Sequence, residues 1–336
     1  MMKTAYLIKP GKIEIVEKEI PSPKEEEVLV KIKAALTCGT DLKAYLRGHP
    51  LIPMPGPFGH EFSGIVEEVG QAVNGFKKGD EVMLVHTAPC GECNYCKRRF
   101  FNLCEILKKD MMLGAFSEFI VVKERVVKLN MFHKPEEIGF EEAAFLEPLS
   151  CVVHGVKALS PKRGEKILII GTGPVGLLFL QVLKAMDVDV AVLGRNRHKL
   201  ELAKALGADE VYNSHENPIK FTDGFGFDSV VECTGQKEIW LKSIDYLRKG
   251  GVSLLFGGLK AGTEVCYDAG RLHYDEITLK GAFHYTPEDV KEAADLIKSG
   301  KLKLKELISE KFSLSEISKA FEKLSRGEGI KYLIEI

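Results

Sequence analysis

Apolar and polar positions alternate in short bursts through the first third of the chain. Ala5-Tyr6-Leu7-Ile8, Ile13-Glu14-Ile15-Val16 and Val28-Leu29-Val30-Lys31-Ile32 are separated by Pro10-Gly11 and Pro21-Ser22-Pro23. Short β-branched runs between such breakers predict strands and turns, not helices. Further strands are expected over Ile65–Val69, Gly79–His86, Phe116–Val122 and Val126–Leu129, with a helical stretch over Phe140–Phe145. At Lys166 the pattern changes. Ile167-Leu168-Ile169-Ile170 is uninterrupted, as in a strand covered on both faces. Later strands are expected at Val188–Leu193, Glu210–Tyr212, Phe227–Cys233, Gly251–Phe256 and Ile277–Gly281, with helices between most of them. That alternation predicts a doubly wound parallel sheet. A helix from Thr286, another over Ser315–Arg326 and a closing strand, Tyr332–Ile336, complete the chain. The closing strand shows no site chemistry and is expected to return to the first domain. The fold class is therefore α/β, with a β-rich domain (1–149 and 286–336) and a parallel-sheet domain (150–285).

The chain has 336 residues, enough for two cores, and a net charge of −1. This balance argues against a general nucleic-acid binder. The hydropathy pattern contains no run long enough to predict a membrane span. The segment Met1-Met2-Lys3-Thr4-Ala5-Tyr6 lacks the apolar core of a signal peptide. A cytoplasmic location is expected, where the eight cysteines serve as thiols or metal ligands rather than disulfides.

Three constellations carry chemistry. In the first, His60 and Glu61 stand side by side between Gly59 and Gly64. Neighbouring side chains on a strand point to opposite faces, so the two meet one ion only where the backbone bends; the glycines permit that bend. Cys38, at the end of the third strand, adds a thiolate, and all three groups are zinc ligands. Thr40 follows, suited either to capping a helix through Asp41-Leu42-Lys43 or to passing on a proton. Glu147, among apolar neighbours, needs a partner if buried, and a cation would serve. In the second, Cys90, Cys93, Cys96 and Cys104 are spaced C-x2-C-x2-C-x7-C. Four thiolates close a tetrahedral zinc site and leave no open position, which makes that zinc structural. An iron–sulfur cluster is the competing reading, but the bacterial run ends C-x3-C-P, unlike this one. In the third, Gly171-Thr172-Gly173-Pro174-Val175-Gly176 lies between a buried strand and a helical pattern, the setting of a dinucleotide fingerprint. The second strand of that unit ends in Gly194-Arg195-Asn196-Arg197 with no acid. An acid there holds a ribose 2′-hydroxyl, whereas guanidinium groups bind a 2′-phosphate. NADP is therefore expected over NAD, with Arg195 the first contact and Arg197 the second. Thr234, at a strand's carboxyl end, and Gly257, two elements later, are further cofactor-side candidates.

Taken together, G-H-E-x2-G-x5-G-x2-V over Gly59–Val73, the four-cysteine lobe and the GxGxxG resemble the medium-chain zinc-dependent dehydrogenases along nearly the whole chain. The resemblance implies a GroES-like catalytic domain beside a Rossmann domain, with one catalytic and one structural zinc. It maps the catalytic zinc onto Cys38, His60 and Glu61, with Glu147 reaching it directly or through water. It implies hydride transfer between a secondary alcohol and the nicotinamide, Thr40 taking the proton and Lys43 near its path. Glu147-Pro148-Leu149-Ser150 looks like sorbitol dehydrogenase, and Cys38-Gly39-Thr40-Asp41-Leu42 like threonine dehydrogenase, although Lys43 replaces that branch's histidine. The basic loop is similar to that of sugar dehydrogenases. The implied substrate is a polyol- or sugar-type alcohol or its ketone, with threonine or a simple secondary alcohol and NAD as the alternative. A homodimer or homotetramer is implied, through the Rossmann edge strand near Leu279.

Overall fold

The alternating segments at the start of the chain form eight strands: β1 (Met2–Lys9), β2 (Lys12–Lys18), β3 (Val28–Leu36), β4 (Gly56–Pro57), β5 (Glu61–Val69), β6 (Glu81–Leu84), β7 (Phe119–Val122) and β8 (Met131–His133). They are described here from a computed structural model covering residues 1–336. The parallel unit follows as β9 (Lys166–Ile170), β10 (Asp189–Gly194), β11 (Glu210–Asn213), β12 (Phe227–Glu232), β13 (Leu247–Leu255) and β14 (Thr278–Gly281). The chain ends with β15 (Ile308–Ser313) and β16 (Lys331–Glu335). Two units result: Met1–Ser150 with Tyr285–Ile336, and Cys151–His284.

In the first unit, one sheet runs β15-β16-β3-β5-β6-β8 with β7 also on β3, and a smaller one runs β2-β1-β4. β16 pairs antiparallel with β3, with Ile334 opposite Ala35, so the final strand does return to this domain. Its return brings the helix Ile317–Ser325 onto the core, where Phe321 packs 5.4 Å from Phe58 and 5.9 Å from Phe116 between ring centroids. Each ring is fully buried and stabilises by about 2–3 kcal/mol through burial alone. The segment from Phe312 onward is thus part of the first core rather than an appendage.

Two expectations are corrected. Val126–Leu129 is not a strand but part of a helix, Glu124–Leu129, and the strand comes next as β8. Its β-branched pair, Val126 and Val127, is buried. Glu124 sits in the first turn and pairs with Lys128 at 2.6 Å, an i,i+4 contact that only a helix makes. The helical stretch expected over Phe140–Phe145 is helical but ends two residues sooner, as a single-turn helix over Phe140–Ala143, and a longer helix, Leu146–Leu159, follows it. Pro148 lies in that helix's first turn, where its missing N–H has no helical partner to lose.

The second unit is a six-stranded parallel sheet in the order β11-β10-β9-β12-β13-β14. Strand order reverses direction between β9 and β12, the switch point where such sheets open a crevice at their carboxyl ends. The helix Pro174–Lys184 starts directly after β9, with Gly173 as its N-cap.

Candidate active site and cofactor crevice

β3 ends at Leu36, and a helix, Gly39–Arg47, begins three residues later with Cys38 as its N-cap. The Cys38 thiol accepts from the Thr40 N–H at 3.5 Å. Thr40 is therefore inside the first turn, not the cap that its hydroxyl suggested. β5 enters from the other side. Gly59 has φ +87°, and a Cβ there would lie 2.6 Å from the Phe116 ring, so only glycine makes this bend. His60 precedes the strand and Glu61 begins it. Cys38, His60 and Glu61 thereby bring one sulfur, one ring nitrogen and one carboxylate oxygen within 4.8 Å of one another. Glu147, in the first turn of Leu146–Leu159, is buried but is not part of that trio; its Oε1 lies 3.6 Å from Nδ1 of His86. Lys43 lies one turn beyond Thr40 and is half-buried.

Three neighbours carry chemistry that the sequence did not announce. Asp41 is fully buried, with Oδ1 3.3 Å from Nδ1 of His60. It makes no well-directed hydrogen bond. The contact is an ion-pair approach that orients the ring. His86 sets its ring 4.9 Å from that of His60, tilted by 58°, and its Nδ1 lies 3.3 Å from the Tyr285 hydroxyl. Lys331, at the start of β16, is 1% exposed and reaches the Thr37 carbonyl at 2.8 Å and Oε2 of Glu61. The closing strand, expected over Tyr332–Ile336 without site chemistry, begins one residue earlier, and that first residue, Lys331, is the one that reaches the site; a lysine opening an apolar strand was the available signal. Burial pushes the Glu61 carboxyl up, opposed by Lys331. Burial pushes the His60 imidazole down, but Asp41 and Cys38 more than reverse it. Oε1 of Glu61 is buried with no partner. A thiol, an imidazole and a carboxylate with an orphaned oxygen are a donor set that a zinc ion fits.

The second cysteine cluster lies after β6. Sγ of Cys90 is 3.9 Å from Sγ of Cys96 and 3.5 Å from that of Cys104. All four sulfurs lie within 4.8 Å of one another. Bonds of about 2.3 Å to a tetrahedral zinc set sulfurs about 3.8 Å apart, so the cage fits that ion. Backbone N–H groups of Glu105 and Cys96 draw the Cys93 thiol down to about 6, which readies it as a thiolate.

In the parallel sheet, Gly171, Gly173 and Gly176 have distinct surroundings. A Cβ on Gly176 would meet the Gly171 carbonyl at 2.0 Å, so helix and strand pack only through glycine there. Around Gly173 there is open space, and Pro174 and Val175 start the helix whose amides face it. Gly194 closes β10, and a Cβ there would lie 2.6 Å from Cγ2 of Thr172. Arg195 follows, exposed, while Arg197 pairs with Glu201 at 3.1 Å. Thr234 abuts Gly171: a Cβ on that glycine would meet Cγ2 of Thr234 at 3.1 Å. Gly257 leans on Gly235 from the neighbouring strand end.

Comparison with known proteins identifies the family. The alcohol dehydrogenase GroES-like domain model matches residues 24–131, and the zinc-binding dehydrogenase model matches 174–299. A sorbitol dehydrogenase of Halalkalibacterium halodurans is 33% identical over 334 residues, 96% of each chain. A D-arabitol-phosphate dehydrogenase of Enterococcus avium is 32% identical over 95% of this chain and 93% of its own. A solved structure described as a zinc-binding dehydrogenase of Sinorhizobium meliloti bound to NADP superposes with a TM-score of 0.91 at 29% identity, covering 100% of this chain and 99% of that one. The 2R,3R-butanediol dehydrogenase of Bacillus subtilis superposes at 0.88 with 26% identity over 100% of both. With its GroES-like and Rossmann domains and its polyol dehydrogenase relatives, the chain belongs to the polyol branch of the medium-chain zinc-dependent alcohol dehydrogenases.

Proposed function

We propose that this zinc-dependent alcohol/polyol dehydrogenase oxidises a polyol- or sugar-type secondary alcohol with NADP, at a catalytic zinc held by Cys38, His60 and Glu61. Glu147 is a further carboxylate for that site, and its charge is felt at Lys331. Zinc bound there supplies Lewis acidity toward the alcohol oxygen. The chain's own residues do the rest. Asp41 fixes the His60 ring through Nδ1, and Lys331 anchors the Glu61 carboxylate. Thr40, two residues after the Cys38 cap and in the first turn of its helix, takes the alcohol proton. Lys43, three residues on and on the same helix face, stands along the onward path. The four-cysteine lobe holds the structural zinc. Met1–Ser150 with Tyr285–Ile336 acts as the catalytic domain and Cys151–His284 as the cofactor domain. β14, the sheet's edge strand, is the surface for a second copy in a homodimer or homotetramer.

One observation carries the NADP preference: β10 ends without an acid. Gly194 stands against Thr172, no acidic residue follows it in the chain before Glu201, and an exposed guanidinium comes next at Arg195. Arg197 is already engaged by Glu201, which leaves Arg195 as the first 2′-phosphate contact. Titration with NADPH and NADH tests this. Tighter NADPH binding that is lost in Arg195→Asp supports the reading. Tighter NADH binding in the wild-type protein overturns it. The substrate class is read from a panel of polyols, threonine and 2-propanol.

A further inference from the structure

Glu232 is a buried carboxylate that the dehydrogenase mechanism does not use. It closes β12 and is 0% exposed. Burial pushes its carboxyl up, against the hydrogen bonds that it accepts. No cation pairs with it. Instead Oε1 accepts from the Thr234 N–H at 2.6 Å, from the Gly235 N–H at 3.1 Å and from the Thr234 hydroxyl. Its own carbonyl accepts from the N–H groups of Phe256 at 3.1 Å and Gly257 at 2.9 Å. Trp240 donates its indole N–H to the Gly257 carbonyl at 2.8 Å. A Cβ on Gly257 would lie 2.2 Å from the Gly235 nitrogen and 2.6 Å from Oε2 of Glu232. One residue therefore ties the carboxyl ends of β12 and β13 together.

These ends stand beside the phosphate loop, since Thr234 abuts Gly171. In a trans peptide the carbonyl points opposite to the N–H. With the Thr234 and Gly235 N–H groups drawn onto the carboxylate, the Cys233 and Thr234 carbonyls face the other way. Neither is taken by another backbone N–H. A buried negative charge on the N–H side polarises both peptides and strengthens these acceptors. A dinucleotide lies across the switch point, with its phosphates at the start of the helix Pro174–Lys184 and one half on each side. Its adenosine half belongs to β10, on one side of β9, so its other half belongs to β12 and β13, on the other.

We propose that Glu232 is a positioning residue, holding the 233–235 turn so that its carbonyls receive the hydroxyl and amide donors of the nicotinamide half of the cofactor. This rests on the cofactor placement above, so the test separates the two. Trp240 is the protein's one tryptophan and sits in the network, so its fluorescence reports binding directly. Wild type, Glu232→Ala and Glu232→Gln are titrated with NADPH and NADH, and with their adenosine-side fragments, 2′-phospho-ADP and ADP. The expected result is a loss of about tenfold or more in dinucleotide affinity for Glu232→Ala, with fragment affinity within about twofold of wild type and Glu232→Gln in between. Equal weakening of fragment and dinucleotide marks a purely structural role and overturns the proposal, as does unchanged dinucleotide affinity. Should Glu232→Ala not fold, Glu232→Gln decides by the same split. If wild type binds fragments but no dinucleotide, the cofactor placement itself fails, and the proposal with it.

Discussion

Lys331→Met tests the least expected part of the site. Lys331 is 1% exposed, donates to the Thr37 carbonyl at 2.8 Å and pairs with Glu61, which is itself fully buried. Methionine fills most of the same space, so the cavity term is small and the electrostatic term dominates. Removing one partner of a buried ion pair costs about 3–5 kcal/mol, because the other charge remains without compensation. Zinc bound at the proposed site of Cys38, His60 and Glu61 would alter that sum. A divalent ion beside Glu61 replaces the lost ammonium, leaving mainly the orphaned Thr37 carbonyl at about 1–2 kcal/mol. The same substitution is therefore expected to destabilise the zinc-free protein by about 2 kcal/mol more than the zinc-loaded protein. By the closed cycle, that difference appears as zinc binding about thirtyfold tighter in the variant. Urea unfolding of wild type and variant, each zinc-loaded and chelator-treated, gives the first number, and competition against a chromophoric chelator gives the second. Because each comparison is made in one metal state, the four-cysteine lobe cancels. Equal destabilisation in both states, or weaker zinc binding in the variant, would falsify the claim that Lys331 and the metal share Glu61.

Two further substitutions follow from the geometry. Gly194→Asp alone is expected to weaken NADPH and NADH alike, since its Cβ would stand 2.6 Å from Thr172. Adding Thr172→Ala makes room for the carboxylate and swings the NADPH-to-NADH affinity ratio toward NADH by about 100-fold, roughly 2.7 kcal/mol; a single variant that already binds NADH tightly refutes the steric argument. Cys96→Ser is expected to lower metal content from about two zinc equivalents per chain to about one. It should also expose the lobe around residues 90–107 to protease. That lobe's small core is made of the cysteines themselves with Leu107, Phe101 and Ile106, so little apolar burial remains once the metal leaves. Retention of both zinc equivalents and protease resistance counts against a four-thiolate site.

The parts of the fold that were readable in the sequence share a physical basis. Strands buried on both faces leave continuous apolar runs such as Ile167–Ile170. Metal cages and phosphate loops need fixed residue types at fixed local spacing, as Cys90-x2-Cys93-x2-Cys96 and Gly171-x-Gly173-x2-Gly176 show. The sequence misled where local preference and tertiary context diverged. Val126 and Val127 favour a strand by type, but Lys128 sits four residues after Glu124 and the turn closes as a helix. Thr40 has a capping side chain, yet the cap belongs to Cys38 because the thiol accepts the Thr40 N–H. Lys331 is 270 residues from Glu61, and no local pattern marks so distant a partner. The Thr172–Gly194 contact is hidden for the same reason: it joins the ends of two strands paired only in the folded sheet.

The buried acids show where this chain tolerates charge. Asp41, Glu61, Glu147, Glu232 and Asp289 are the fully or nearly fully buried carboxylates. Asp289 has an ordinary explanation, since it completes the capping box of a helix with Thr286. The others lie at the proposed zinc site or at the crevice beside Gly171. Taking an ionised carboxylate out of water costs several kcal/mol unless partners compensate, and an apolar residue of similar size usually packs as well. Stability alone therefore gives no reason to place four such groups there. Each instead sets the position of something else: Asp41 the His60 ring, Glu61 the Lys331 ammonium, Glu147 a contact with His86, Glu232 the turn at Thr234 and Gly235. Positioning of this kind requires a fixed charge at a fixed point, which only burial with defined partners provides. The same logic ranks substitutions. Neutralising any of these four is expected to alter ligand or metal affinity more than it alters folding, whereas neutralising Asp289 should do the reverse.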